Sequence, residues 1–264
     1  MAIINVGGLD TYYNVYGNGS PILLIHHLAG NTNSWYNQIS YFAKKYKVIA
    51  YDLRGHGKSA EPKEGFSLED LAQDLYLLLK KLGIERCSVI GHSIGGMIAP
   101  LFALRHEAMV SSLIIVAGAS QALASDKLAS YSLMREIAKT KGMEALAEYR
   151  RANNQIPPKI ANVPSLWEHF KQLYRETSVQ GYIKTSEALT TMPNITEKLK
   201  HLSCPMLGIV GDLDPVFMEM MKILADNTKL TLKLMHNCGH FVMMEEPNEF
   251  NDTVSNFLKS YNLK

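Results

Sequence analysis

Cysteine is scarce in this chain: Cys87, Cys204 and Cys238 are the only three in 264 residues, and they stand far apart. An odd, sparse count supports neither a disulfide framework nor a metal-ligand pattern. Their apolar surroundings point instead to buried structural thiols. A charge excess of one sign is also lacking. The 27 basic and 25 acidic residues leave a net charge of +2, too mild to argue for nucleic acid or an anionic membrane as partner. Long apolar runs are missing, and none reaches the roughly 18 residues of a membrane span. The first ten residues hold no basic segment followed by an apolar core, so no signal peptide is expected, and the expected location is cytoplasmic. Internal repeats and low-complexity stretches are absent too. What remains is a globular composition, 47% hydrophobic and 20% charged, in a chain long enough to bury a sizeable core without staples.

Short apolar runs alternate with helical patterns, which predicts an α/β fold with a mostly parallel central sheet flanked by helices. The buried-strand candidates are Pro21 to His26, Lys47 to Tyr51, Cys87 to Ile90, Ser112 to Val116 and Pro205 to Val210, with Thr231 to Met235 weaker. Leu9 to Tyr16 is more polar and reads as an edge hairpin with the first residues, turning near Gly7 and Gly8. After Ser67, apolar residues at Leu68, Leu71, Ala72, Leu75, Leu78, Leu79 and Leu82 share one helical face. Ser67 and Asp70 form a capping-box pattern, and Gly83 stops the helix. Further helices are expected just after Ser93, near Trp35 to Phe42, over Val216 to Ala225 and over Pro247 to Leu258. From 120 to 192 the alternation breaks and only helical patterns occur. Such a segment is too long for a loop. It reads as a helical cap over the sheet's carboxyl edge, where open α/β sheets bind ligands. The core is then 1–119 together with 193–264.

The sharpest motif is Gly91-His92-Ser93-Ile94-Gly95-Gly96. It fits G-x-S-x-G and stands after a strand and before a helix, where a nucleophilic serine is exposed on a strained turn. A serine hydroxyl needs a base. Of the nine histidines, His240 is the candidate because it follows the last strand and precedes the last helix. His92 neighbours the serine but should point away from it. His56, His106, His169 and His201 have surface or loop readings. A carboxylate must orient the base, and both Asp212 and Asp214, after the strand ending near Val210, are placed to do so. The order Ser, Asp, His is that of α/β-hydrolases. Donors for an oxyanion are expected from the backbone N–H of Ile94 and from the loop His26 to Gly30, with Leu28 the choice there.

On these residues the chain resembles the α/β-hydrolase superfamily over essentially its whole length. The carrying segments are Leu24-Ile25-His26 with Gly30 and Trp35, Asp52-Leu53-Arg54-Gly55-His56-Gly57-Lys58-Ser59, and Ser67 to Ala72, then GHSIGG, GDLD and GHF, all in the family's order. The Asp52 to Ser59 segment resembles cap-bearing esterases, enol-lactonases and carbon–carbon bond hydrolases. The stretch from Ser186 to Asp214 is most similar to the 3-oxoadipate enol-lactonase-like branch. The resemblance implies Asp214 as the triad acid, three residues after the glycine. Pro215 points the same way, because it disfavours helical geometry at Asp214 and leaves it in an extended loop. Two departures stand out: His27 where the family usually has glycine, and Pro100 inside the helix after the serine.

The expected function is a serine hydrolase of small carboxylic esters or lactones, with Ser93, Asp214 and His240 as catalytic residues and Leu28 and Ile94 as oxyanion donors. The pocket is expected to include His27, Trp167, Met192 and Phe241. A small-molecule ester or lactone is the expected partner, with no metal and no organic cofactor. The rivals are carbon–carbon bond hydrolysis of a ring-cleavage diketone, a cofactor-free perhydrolase or haloperoxidase activity, and a ligand-binding receptor on the same fold. Epoxide hydrolases and haloalkane dehalogenases carry an aspartate where this chain has Ser93. Oligomeric state has no signature in the sequence.

Overall fold

The continuous apolar runs become buried strands in the computed structural model, which describes residues 2–261. Eight strands form one sheet: β1 Ala2–Val6, β2 Leu9–Tyr16, β3 Pro21–Ile25, β4 Lys47–Tyr51, β5 Cys87–His92, β6 Val110–Val116, β7 Met206–Gly211 and β8 Thr231–Met235. Their order is β1-β2-β4-β3-β5-β6-β7-β8. The β1–β2 hairpin turns at Gly7 and Gly8 and pairs antiparallel, as does β2 with β4; every other pairing is parallel. β3 to β7 are buried along nearly their whole length, and β8, the edge strand, only at Met235. That contrast explains why its sequence alternates while theirs do not.

The helices are α1 Tyr36–Phe42, α2 Leu68–Lys81, α3 Gly95–Arg105, α4 Ser125–Ala152, α5 Pro158–Ala161, α6 Pro164–Arg175, α7 Val179–Ala188, α8 Thr196–Leu199, α9 Pro215–Asn227, α10 Val242–Glu245 and α11 Pro247–Ser260. The expected capping box opens α2: Ser67 Oγ accepts from the Asp70 N–H while Asp70 caps the Ser67 N–H. Parallel crossovers are right-handed. Stepping from β3 to β4 and from β5 to β6 in opposite directions therefore sends α1 and α3 to opposite faces. α10 and α11 join α1; α2 packs on α3. The helix after Ser93 continues through Pro100.

The strand order reverses around β3. Its neighbour β5 is in register with it through Ile25 opposite Gly91, and β7 meets β8 at Gly211 opposite Met235. The loops that follow β3, β5, β7 and β8 therefore emerge along one edge. Between β6 and β7 the chain builds no strand, only α4 to α8 and a short 3-10 turn. α4 is broken at Gly142, whose φ of +84° lies outside helical geometry. This helical segment touches the core loops directly: Ser178 N–H donates to the Gly55 carbonyl, and Asn31 Nδ2 donates to Glu176. Among the described residues no helix is long and apolar enough to cross a membrane.

Gly55 and Gly181 meet backbone to backbone. A Cβ on Gly181 would stand 2.3 Å from the Gly55 carbonyl oxygen, and neither backbone can yield cheaply. Gly181→Ala should therefore lower stability by about 1–3 kcal/mol, the usual cost of overpacking, and loosen the helical segment. Thermal unfolding together with limited proteolysis of 120–192 checks this; an unchanged melting temperature and cleavage pattern would refute it.

Candidate active site

The strand β5 turns into α3 through two residues, Ser93 and Ile94. Ser93 has φ +58°, a left-handed conformation that costs a non-glycine residue free energy. Its N–H donates to the Val116 carbonyl, and its carbonyl accepts from Met97 N–H. The flanking glycines are forced by contact. A Cβ on Gly91 would lie 2.0 Å from the Gly95 carbonyl oxygen, and one on Gly95 would lie 2.4 Å from that of Ile25. The turn thus presses β5, α3 and β3 together and leaves the Ser93 hydroxyl on top, with the residue 7% exposed.

Three loops bring partners to it. His240 Nε2 lies 2.9 Å from Ser93 Oγ, and His240 Nδ1 lies 2.5 Å from Asp214 Oδ2. An ionised carboxylate only accepts, so Nδ1 carries the proton and Nε2 is left to accept from the serine hydroxyl. Burial works against the Asp214 charge, but the attraction of His240 and the hydrogen bonds from His240 and Phe217 N–H hold its carboxyl below the ordinary range. Asp212 does something else: it accepts from His236 Nδ1 at 3.1 Å and from Cys238 N–H at 3.4 Å. Asp214 also caps α9 through Phe217. The N–H groups of Leu28 and Ile94 have no acceptor among the described residues.

A family model described as alpha/beta hydrolase fold matches residues 20–247. The chain belongs to the alpha/beta hydrolase fold family. It is 27% identical to 3-oxoadipate enol-lactonase 2 of Acinetobacter baylyi over 95% of this chain and 93% of that one. It is 24% identical to the 2-hydroxy-6-oxo-6-(2'-aminophenyl)hexa-2,4-dienoic acid hydrolase of Metapseudomonas resinovorans over 97% of this chain and 89% of that one. Among solved structures, a protein from a study of carboxylesterases of the thaumarchaeon Nitrososphaera gargenis is 31% identical, with a TM-score of 0.94 and 99% of each chain covered.

In this alpha/beta hydrolase, several residues beyond the sequence candidates hold the loops in place. Glu245, buried in α10, accepts from Gly239 N–H at 2.8 Å and Phe241 N–H at 3.0 Å, gripping the backbone on both sides of His240. His92 makes no hydrogen bond to Ser93 among the described residues, but it is not idle. Its Nε2–H donates to the His240 carbonyl at 2.8 Å. His56, read above as a surface or loop residue, is fully buried. It donates from Nδ1 to the Arg54 carbonyl and accepts at Nε2 from Ala29 N–H. His26 bridges the same loops, donating to the His27 carbonyl and accepting from Leu53 N–H. Asp52 accepts from Thr32 and Lys58 N–H groups, and burial pushes its carboxyl up to about 6. Nothing in a single sequence marks Glu245, whereas the His26 and Asp52–Ser59 segments had been singled out.

A cavity of about 240 Å³ opens beside His240 and Asp214, lined among others by Lys127, Tyr131, Arg150, Gln155 and Phe217. None of His27, Trp167, Met192 and Phe241, the residues expected at the pocket, lines this cavity. His27 and Phe241 are buried in an aromatic cluster with His92 and Phe170 behind the site. Trp167 stacks on Phe170 and is covered by Arg151 and Lys171, so it packs the helical segment on itself. Met192 is buried after the 3-10 turn that leads back to the core. All three cysteines are buried and free. No group of three or more His, Cys, Asp or Glu among the described residues could hold a metal ion.

Burial brings the His27 imidazole down to about 3, against about 6.5 in an unfolded chain. Between those values the unfolded chain binds a proton that the folded chain refuses. This contribution to stability is complete above pH 6.5 and is lost as the pH falls toward 3. In His27→Asn the dependence of unfolding free energy on pH between about 6 and 4.5 should be shallower by roughly 1.4 kcal/mol per pH unit. Urea titrations across that range measure it, and an identical slope in both proteins would show that His27 protonates freely in the fold.

Proposed function

We propose that the protein is a serine hydrolase of small carboxylic esters or lactones, working through an acyl-enzyme on Ser93. The observation that carries this reading is the continuous hydrogen-bonded line Asp214–His240–Ser93; the N–H groups of Ile94 and Leu28 have no acceptor among the described residues. In the proposed reaction His240 Nε2 takes the Ser93 proton as Oγ attacks the carbonyl carbon. Asp214 holds the tautomer and stabilises the imidazolium. The Leu28 and Ile94 N–H groups receive the oxyanion. Collapse expels the alcohol, which takes the proton from His240. A water molecule, deprotonated by the same imidazole, then releases the acid and frees Ser93. No cofactor enters these steps. The enol-lactonase and carboxylesterase relatives support the substrate class, and segment 120–192 serves in this reading as the cap that excludes water.

The relative that hydrolyses a hydroxy-oxo-dienoic acid favours a second reading, carbon–carbon bond cleavage by the same serine and histidine. Turnover of a ring-cleavage diketone well above that of any ester or lactone would select it.

Ser93→Ala should abolish labelling by an organophosphonate ester probe. Asp214→Asn should lower ester turnover at least about a hundredfold with the melting temperature kept, since loss of the orienting charge costs about four orders of magnitude in a serine protease. Asp212→Asn should cost stability more than rate. Labelling of Ser93→Ala at the rate of the unaltered protein, or near-normal turnover in Asp214→Asn, would reject the assignment.

A further inference from the structure

The cavity beside His240 is unbalanced in charge. Lys127 and Arg150, both from α4, line it, and Asp214, already engaged by His240, is its only lining carboxylate. Arg150 makes no ion pair among the described residues. Its Nη1 donates to the Tyr174 hydroxyl and its Nη2 to the Gln155 carbonyl at 3.5 Å, both uncharged acceptors. Its Nε is sealed from solvent and has no acceptor among the described residues. Three phenols, Tyr174, Tyr182 and Tyr131, stand around it, uncharged at neutral pH, and the first two are almost completely buried. Lys127 also lacks an ion pair. Burial and the neighbouring Arg150 charge hold its amine below the ordinary value.

The helical segment is not short of carboxylates. On its outer side Arg175 pairs with Glu144 and Glu168, and Lys171 with Glu144, Glu148 and Glu168. Those acids serve the surface and leave the inward cations without counter-ions. A guanidinium withdrawn from water loses free energy unless an anion pairs with it. A planar guanidinium fork matches a carboxylate.

We propose that this cavity is an anion subsite that takes the carboxylate of an acid-bearing ester or lactone, with Arg150 as its principal ligand and Lys127 as the second cation. This rests on the ester or lactone reading above and names the substrate class within it. The substrate's carboxylate lies against Arg150, on the cavity side of His240, while its scissile carbonyl faces Ser93. An ester or lactone of a diacid, or of a hydroxy acid, meets this requirement, and a plain alkyl ester does not.

The test compares monoethyl adipate with ethyl pentanoate, a neutral ester of similar length, and measures stabilisation by adipate itself. The unaltered protein should prefer the acid ester by at least about tenfold in kcat/KM, chiefly through KM, as expected for one charge-assisted pair. Adipate should raise its melting temperature. In Arg150→Met the ratio between the two esters should collapse toward one and adipate should no longer stabilise, while Arg150→Lys should restore part of both. No preference and no stabilisation by adipate would overturn the proposal. So would an unchanged ester ratio in Arg150→Met, which would make the guanidinium purely structural, and so would stabilisation by inorganic phosphate but not by adipate. If adipate binds through Arg150 but neither ester is cleaved, the ester reading falls and the anion subsite stands.

Discussion

One close crossing governs the carboxyl edge of this molecule. β5 passes into α3 through Ser93 and Ile94, the serine in a left-handed conformation, with backbone from α3 and β3 so near that neither Gly91 nor Gly95 has room for a Cβ. The local conformation is costly, of order 1–3 kcal/mol for such a residue, and it is held by the sheet and helix packed around it. Everything at the site is positioned relative to that turn. The hydroxyl stands clear of the sheet, the first free N–H of the helix lies next to it, and the adjacent loop after β3 is brought alongside because β3 and β5 are neighbours.

The loops around the turn are irregular and buried, so their backbone groups need partners other than a strand or helix ladder. Neutral imidazoles supply them, because each can donate from one nitrogen and accept at the other. His26 and His56 do this between the loops after β3 and β4, and His92 donates to the His240 carbonyl. Their shared tendency to stay uncharged follows from the same burial, which brings His56 down to about 4 and the other two further. Asp52 and Glu245 complete the bracing as carboxylates that accept backbone N–H groups. The functional geometry is thus carried by polar groups, while the apolar core only holds the strands in order.

Legibility in the sequence followed locality. The strands from β3 to β7 are continuous apolar runs, and α2 carries both its stripe and its capping box, so pattern and structure coincide within a residue or two. Ser93 was visible because its signal, two glycines flanking a serine between a strand and a helix, is local and has a steric cause. The choice of Asp214 over Asp212 rested on Pro215 and on resemblance; in space the two acids separate cleanly, one to His240 and one to His236 and Cys238. Trp167 and Phe241 are large and apolar, which says that they are buried but not against what.

Sequence alone determined the layered α/β architecture, the helical segment between β6 and β7, the serine turn and the family, because each is written in short-range periodicity or in motifs with a steric reason. Only the tertiary structure decided which side chains line the cavity beside His240, that Glu245 and His92 grip the histidine loop, and that Arg150 lines that cavity without a counter-ion among the described residues. Those outcomes depend on how segments about a hundred residues apart dock, and docking is fixed by mutual packing of whole surfaces such as the Gly55–Gly181 contact, which no local pattern encodes.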